Sequence, residues 1–421
     1  MIPRPQRLEV EGGARIVYAP NPASPFVSFQ GSLPGGVTAE RSGEEGVANF
    51  LSRLLLSGTR VHTTRQLAEA LEGLGATLEF GVSMDAVQFY GRCTKRTAAK
   101  VFAIVADCLT SPVIPAKEVE RVRAEILTEI EEDRDDTRAR AQQELLSSIY
   151  PRGHPYGRDP RGDPEQVKAI EPRILLEFHG RLYGRDGLTL AVAGDVDEGL
   201  VRIVIEKALG TLPANNARSG PPGDPDPQPP LTRTVDLPHK SQTDIAIGLQ
   251  AISRGHPDFY ALNVANLLFG VIGMYGRLGA TVREEKGLAY YSLSRLRAMR
   301  HGGHWAILAG VNPARLAGAM AAISHELDRL NDEPFSEEEI ENGKLNQIGG
   351  LAVHLDRNAE VANALHEIEF HDLGLDFLDR YPGIVKGLTR EEIVAAAETH
   401  IRKRDCSVAV AGPLRGEVPS L

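Results

Sequence analysis

The stretch from Pro213 to Pro230 constrains this chain more than any other. It reads Pro-Ala-Asn-Asn-Ala-Arg-Ser-Gly-Pro-Pro-Gly-Asp-Pro-Asp-Pro-Gln-Pro-Pro. Proline fixes φ and removes an amide donor, so neither a helix nor a central strand can run across it. An extended, semi-stiff linker is expected. It divides the 421 residues into 1–212 and 231–421, each the size of one ordinary domain.

The segments on either side echo one another. Arg185-Asp186-Gly187-Leu188-Thr189-Leu190-Ala191-Val192-Ala193-Gly194 closes the first part, and Arg404-Asp405-Cys406-Ser407-Val408-Ala409-Val410-Ala411-Gly412 closes the second. Val47-Ala48-Asn49-Phe50-Leu51 is matched by Val264-Ala265-Asn266-Leu267-Leu268. The second member of each pair follows the first by 217 to 219 residues. Two matches at nearly one offset, straddling a linker, indicate a duplicated domain.

Local patterns give each part a mixed composition of elements. Leu8–Val10 and Arg15–Tyr18 flank Gly12-Gly13 and read as a hairpin. Apolar residues at helical spacing predict helices near Glu44–Leu56, Gln66–Leu74 and Ala98–Leu109, and a long one from Lys117 onward. Thr77–Arg92 reads as strands. Strands and helices mix without strict βαβ alternation, which predicts helices packed on a mostly antiparallel sheet, an α+β sandwich in each part.

Composition and motif content exclude several function classes. No run approaches the roughly 20 apolar residues of a membrane helix, and the N-terminus lacks the apolar core of a secretory signal. Forty-seven Lys and Arg against 57 Asp and Glu leave a net charge of −10, which argues against nucleic-acid binding. Cys93, Cys108 and Cys406 are too far apart for a disulfide framework or a cysteine zinc site, and point to a reducing, cytoplasmic setting. The glycine-rich Gly270–Gly276 segment follows a helix-like run rather than a strand, so it reads as a flexible loop and not a dinucleotide loop. His366 and His371 are five residues apart, which puts them on different helix faces and favours a polar surface over a metal site. His301 and His304 are placed in a Gly-rich turn.

Four ordered segments carry a family resemblance. Gly46-Val47-Ala48-Asn49-Phe50-Leu51-Ser52-Arg53-Leu54-Leu55-Leu56-Ser57-Gly58-Thr59 resembles the signature of pitrilysin/insulinase-type zinc peptidases, approximately Gly-x-Ala-His-Phe-Leu-Glu-His-x-x-Phe-x-Gly-Thr. Ala124–Ile130, which includes Glu129, is similar to the helix that carries the third zinc ligand. His154-Pro155-Tyr156-Gly157 matches the family's His-Pro-Tyr-Gly segment. Val282-Arg283-Glu284-Glu285-Lys286-Gly287-Leu288-Ala289-Tyr290 resembles its Arg-Glu-x-x-Gly-Leu-Ala-Tyr segment. The resemblance spans nearly the whole chain. It implies two homologous α/β-sandwich domains forming half of a clamshell.

The departures are as informative. In the family motif two imidazoles at i and i+4 hold zinc, and the carboxylate beside the second activates water. Asn49, Ser52 and Arg53 stand at those places. Asn49 is a poor zinc ligand, Ser52 cannot serve as a general base near neutral pH, and Arg53 would repel a divalent cation. Glu129 alone persists, and it is expected to pair with the Arg53 guanidinium rather than hold metal. The resemblance also implies a substrate-side Arg and Tyr seven residues apart, and Arg283 and Tyr290 match them. Arginine can hold a peptide carbonyl or carboxylate with paired donors, and a tyrosine hydroxyl can donate to a developing oxyanion. Tyr291 should point to the opposite face of the strand.

These features imply a non-catalytic subunit of a heteromeric zinc peptidase, related to the mitochondrial processing peptidase subunits. Zinc is expected in a homologous partner with an intact His-x-x-Glu-His motif, with no cofactor in this chain. Arg283 and Tyr290 would serve that partner's site on a peptide or unfolded polypeptide. A homodimer in isolation is compatible with this reading. The alternative is an interaction protein on a peptidase fold with no protease role.

Overall fold

A computed structural model describes residues 4–10, 13–214, 222–223 and 225–421, without the side chains of Glu9 and Tyr275. Much of the proline-rich segment, residues 215–221 and 224, lies outside the described residues, as does Gly12 of the expected hairpin. The chain forms two compact units. The first comprises residues 1–128, 159–221 and 351–378, the second 129–158, 222–350 and 379–421. The units are therefore interleaved rather than cut once at the linker: each takes a helical segment from the other part of the chain.

Among the described residues the first unit holds six strands: β1 (Gln6–Glu9), β2 (Arg15–Pro20), β3 (Phe26–Pro34), β4 (Thr77–Val82), β5 (Ala86–Thr94) and β6 (Thr189–Gly194). Their order is β1-β2-β6-β3-β5-β4. Only β2 and β6 pair in parallel; β1 and β2 form the expected hairpin. Alternation along β3 sorts the two faces. Phe29 meets Phe102 of the Ala98–Thr110 helix at 4.9 Å between ring centroids. On the other face, Ser32 Oγ lies 2.8 Å from His366 Nε2 of the Asn358–Phe370 helix. That helix belongs to the segment contributed from the chain's second part.

The second unit repeats the plan with five strands: β7 (Thr232–Asp236), β8 (Thr243–Ala251), β9 (Ala289–Ala298), β10 (Gly303–Val311) and β11 (Ser407–Gly412). Their order is β7-β11-β8-β10-β9. β11 is parallel to β7 and antiparallel to β8, as β6 is to β2 and β3. The two Ala-Gly-terminated echoes thus occupy equivalent central positions, and the Val-Ala-Asn echoes both lie in helices, Val47–Leu54 and Phe259–Gly270. Duplication and the α+β sandwich class both follow from these pairings.

The core of the second unit fills one sheet face, where Ile245, Ile247, Trp305 and Ile307 meet Leu262, Phe269, Ile323 and Ile393. The Thr137–Ile149 helix covers the other face, burying Ala141, Leu145 and Ile149. The long helix is observed as Ala116–Asp135. It stops because Asp136 caps the next helix, its carboxylate accepting from Ala139 N at 2.6 Å.

Three local expectations are corrected. His366 is not on a polar surface: it is fully buried, with Nε2 held against Ser32 of β3. Gly270–Gly276 is not a loop: Gly270 ends one helix and Ile272–Gly279 forms the next, with Gly273 and Gly276 supplying left-handed conformations at φ +59° and +61°. His304 is not in a turn but pairs within β10, opposite Gln250 and Arg297. Among the described residues, no helix is long and apolar enough to cross a membrane.

Candidate functional site

The Val47–Leu54 helix carries the three motif positions of the first unit. Its register is set by Val47, Phe50, Leu51 and Leu54, all fully buried. Its N-terminus is satisfied by Glu40, whose Oε1 accepts from Gly46 N at 3.1 Å and Ala48 N at 2.9 Å. A carboxylate there also complements the helix dipole. Arg123 of the Ala116–Asp135 helix lies over the Phe50 ring at 5.5 Å, which sets these two helices side by side.

Helical spacing puts Asn49 and Arg53 on one face, and their side chains bond to each other: Arg53 Nε donates to Asn49 Oδ1 at 3.1 Å. Ser52 is 3% exposed, and its hydroxyl donates to the Asn49 carbonyl oxygen at 2.8 Å. The position of the general base is thus turned onto its own helix. An amide oxygen already bonded to a guanidinium, a hydroxyl bonded to the backbone and a fixed positive charge do not fit a zinc ion. Glu129 is half-buried near the end of the Ala116–Asp135 helix, in a segment counted with the second unit.

Arg283 and Tyr290 are joined by a single tight turn. Arg283 lies in a π-helical turn, Ala280–Glu285. Gly287 closes it with φ +58°, a left-handed conformation that glycine adopts without strain. The Gly287 amide donates to the Arg283 carbonyl at 3.1 Å and Leu288 N donates to the Val282 carbonyl at 2.9 Å. The chain then enters β9.

The register of β9 explains Tyr290. Gly310 pairs with Tyr291, whereas Val311 pairs with Ala289. Tyr290 is therefore the extra residue of a β-bulge on an outermost strand, the kind of irregularity that re-aims a side chain. It is 63% exposed. Its neighbour is used differently. The Tyr291 hydroxyl donates to Asp244 Oδ1, and Asp244 also accepts from Thr137 Oγ1 and from Gln242 Nε2, the latter at 2.9 Å. Burial, followed by the bond to Asp244, raises the Tyr291 hydroxyl well above its ordinary pKa. A Cβ at Gly310 would stand 2.5 Å from the Tyr291 ring, so glycine is needed at that place.

One grouping is invisible in the sequence. His256, Asp258 and His400 place potential ligand atoms within 4.8 Å of one another. His400 Nε2 lies 2.8 Å from Asp258 Oδ2, tying the end of the Arg390–His400 helix to the start of the Phe259–Gly270 helix. The sequence separation of the two histidines hid it.

Comparison with known proteins agrees with this architecture. The description "Insulinase (Peptidase family M16)" matches residues 15–162, and "Peptidase M16 inactive domain" matches residues 169–346. An uncharacterized zinc protease of Mycobacterium leprae is 27% identical over 417 residues, covering 97% of this chain and 91% of that protein. A probable mitochondrial-processing peptidase subunit beta of Schizosaccharomyces pombe is 24% identical, covering 99% and 93%. The crystal structure of a peptidase M16 inactive domain from Pseudomonas fluorescens superposes with TM-score 0.92 at 22% identity, covering 99% of this chain and all of that one. A Helicobacter pylori protease structure gives 0.88 at 19% identity, covering 98% and 100%; these two structures speak to the fold. Matching family descriptions over both parts of the chain, full-length relatives and the observed duplication lead to one conclusion: the chain belongs to the pitrilysin/insulinase (M16) peptidase family.

Proposed function

We propose that this chain is the non-catalytic subunit of a heteromeric zinc peptidase, completing a peptide-binding chamber and lending Arg283 and Tyr290 to a partner's active site. The observation that carries this reading is a contrast. The zinc positions hold Asn49, Ser52 and Arg53, bonded among themselves, while Tyr290 stands 63% exposed on an edge-strand bulge beside the helix turn that holds Arg283. An exposed tyrosine at a bulge contributes little to the core and is available to a substrate. The partner would be a homologous chain with an intact His-x-x-Glu-His motif, closing half of a clamshell against this one. Zinc would reside there. Tyr290 would donate a hydrogen bond to the oxyanion formed at the scissile carbonyl, and Arg283 would hold the peptide backbone.

The three cysteines are buried and unbridged, which fits a reducing compartment, and we place the complex in the cytoplasm. The test is reconstitution with such a partner. Tyr290→Phe should lower turnover about 10²–10³-fold without impairing assembly. Arg283→Ala should also raise KM, because it removes ground-state contacts. Unchanged turnover in an assembled complex would favour the other reading, an interaction protein without a protease role.

A further inference from the structure

β9 lies at the end of the second sheet, paired only with β10 among the described residues. Beyond Tyr290 it carries Arg295 and Arg297, both exposed and both on the sheet face shared with Tyr291. They stand opposite Ala306 and His304 of β10. Arg138, from the Thr137–Ile149 helix on that face, sets its guanidinium 4.6 Å above the Tyr291 ring. Arg134 and Arg140, on either side of Arg138 in sequence, are paired with Glu131 and Glu144. Arg138, Arg295 and Arg297 have no ion-pair partner among the described residues. Their charges act on one another: Arg295 is pushed below its ordinary pKa by burial, then by Arg297 and by Arg138. His304 is held down to about 4 by burial, then by Arg297 and Arg295. Asp244 and Asp136 lie near Tyr291 on the Arg138 side, but in a chain of net charge −10 three guanidiniums without an ion-pair partner on one face still attract anions to the exposed Arg295 and Arg297.

We propose that Arg138, Arg295 and Arg297 form a specificity site for acidic peptides, reading two carboxylate side chains at alternate positions of an extended chain laid against the free edge of β9. An added strand would lie about 4.8 Å from β9. Its alternate side chains on this face would come directly beside Arg295 and Arg297, where each guanidinium can hold a carboxylate by two parallel bonds. The spacing also fixes where these acids fall. Arg295 is five residues from Tyr290, roughly 17 Å along a strand, so the acidic pair sits about five to seven residues from the bond to be cut. This inference rests on the proposed peptidase role only for that last placement; binding itself needs no partner.

The test uses the full-length chain and fluorescein-labelled peptides rich in Ser, Thr and Val. One carries two Asp at alternate positions, one Asn and one Lys at the same places; an oligothymidylate of matching charge serves as a non-peptide anion. Fluorescence anisotropy should show the Asp peptide binding at least about tenfold more tightly than the Asn peptide. Arg295→Gln with Arg297→Gln should abolish that preference. Arg295→Glu with Arg297→Glu should transfer it to the Lys peptide, a gain that misfolding cannot produce. Equal affinity for Asp and Asn peptides, a preference that survives the glutamine pair, or equal binding of the oligothymidylate would overturn the proposal. These results are independent of Tyr290. An acidic preference with no Tyr290→Phe effect in the assembled complex would remove the trans-acting role and leave this site standing. Equal peptide affinities with a Tyr290→Phe effect would do the reverse.

Discussion

Arg53 donates from Nε to the Asn49 side-chain oxygen across one turn of helix, at 3.1 Å. In the family signature these two places hold the imidazoles that bind zinc. Here the same i, i+4 geometry that would aim two ligands at one ion closes a hydrogen bond between an amide and a permanent cation. The scaffold for the site is kept, with a fully buried apolar face beneath it, and its chemistry is replaced.

Zinc should therefore not bind at Asn49–Arg53. The measurement is elemental analysis of the isolated chain in a His256→Ala, His400→Ala background, which removes the other grouping of potential ligands. Adding Asn49→His, Ser52→Glu and Arg53→His should restore one zinc per chain. Ser52 is 3% exposed, so the larger side chain should cost about 1–3 kcal/mol of stability, and folding must be checked by circular dichroism. A folded triple variant without zinc would show that the surrounding groups that orient the imidazoles have also changed.

The adjacent tyrosines should separate function from stability. Tyr290→Phe should leave the melting temperature nearly unchanged, because the side chain is 63% exposed, while lowering turnover of the reconstituted complex about 10²–10³-fold. Tyr291→Phe should do the opposite. It removes a partly buried hydroxyl from Asp244 and should destabilise the chain by about 1–3 kcal/mol with little kinetic effect. Thermal unfolding and steady-state kinetics on both variants check this. Reversal of the two outcomes would exchange the roles.

Asn266, the counterpart of Asn49 in the repeated Val-Ala-Asn string, should be a stability residue. It is 5% exposed, and its Oδ1 accepts from Trp305 Nε1 at 2.8 Å and Ser294 Oγ at 2.7 Å. Asn266→Leu would leave the buried Trp305 Nε1 donor unpaired, while Ser294 Oγ would keep only the Asn266 carbonyl oxygen at 3.3 Å, and the change should cost about 1–3 kcal/mol. Urea unfolding measures it; a loss below about 1 kcal/mol would mean other acceptors replace the amide.

His304 should make the second unit less stable in mild acid. Its folded pKa is about 4, against an ordinary value of 6.5, through burial first and the repulsion of Arg297 and Arg295 second. The unfolded chain therefore takes up the proton first as pH falls. The contribution of the neutral ring is complete above about 6.5 and is lost between about 6.5 and about 4. Imidazole proton NMR should find His304 neutral through most of that window. Arg295→Gln with Arg297→Gln should raise its pKa only part of the way, because burial is the larger cause. A full return to 6.5 would make the arginines the main cause.

The sequence by itself determined the local elements, the duplication and the altered zinc signature. Helices and strands are written in apolar spacing over a few residues, and the repeated Ala-Gly-terminated strings land in the central strands β6 and β11. Identity at Asn49, Ser52 and Arg53 is enough to rule out two imidazoles and a base. Only the tertiary structure decided which sheet each helix covers. The periodicity of Thr137–Ile149 shows a buried face, but not that this face meets β8 and β11 of the second unit, nor that Asn358–Phe370 serves the first. The same holds for Tyr290. Strict alternation would have put it on the face of the buried Ser292, opposite Tyr291, and a one-residue register shift against Gly310 and Val311 accompanies its exposure instead. A bulge depends on how two strands pair, and pairing partners distant in sequence leave no mark in the spacing of either strand alone. The clustering of Arg138 with Arg295 and Arg297 arises in the same way, from a helix and a strand that meet only once the chain has folded.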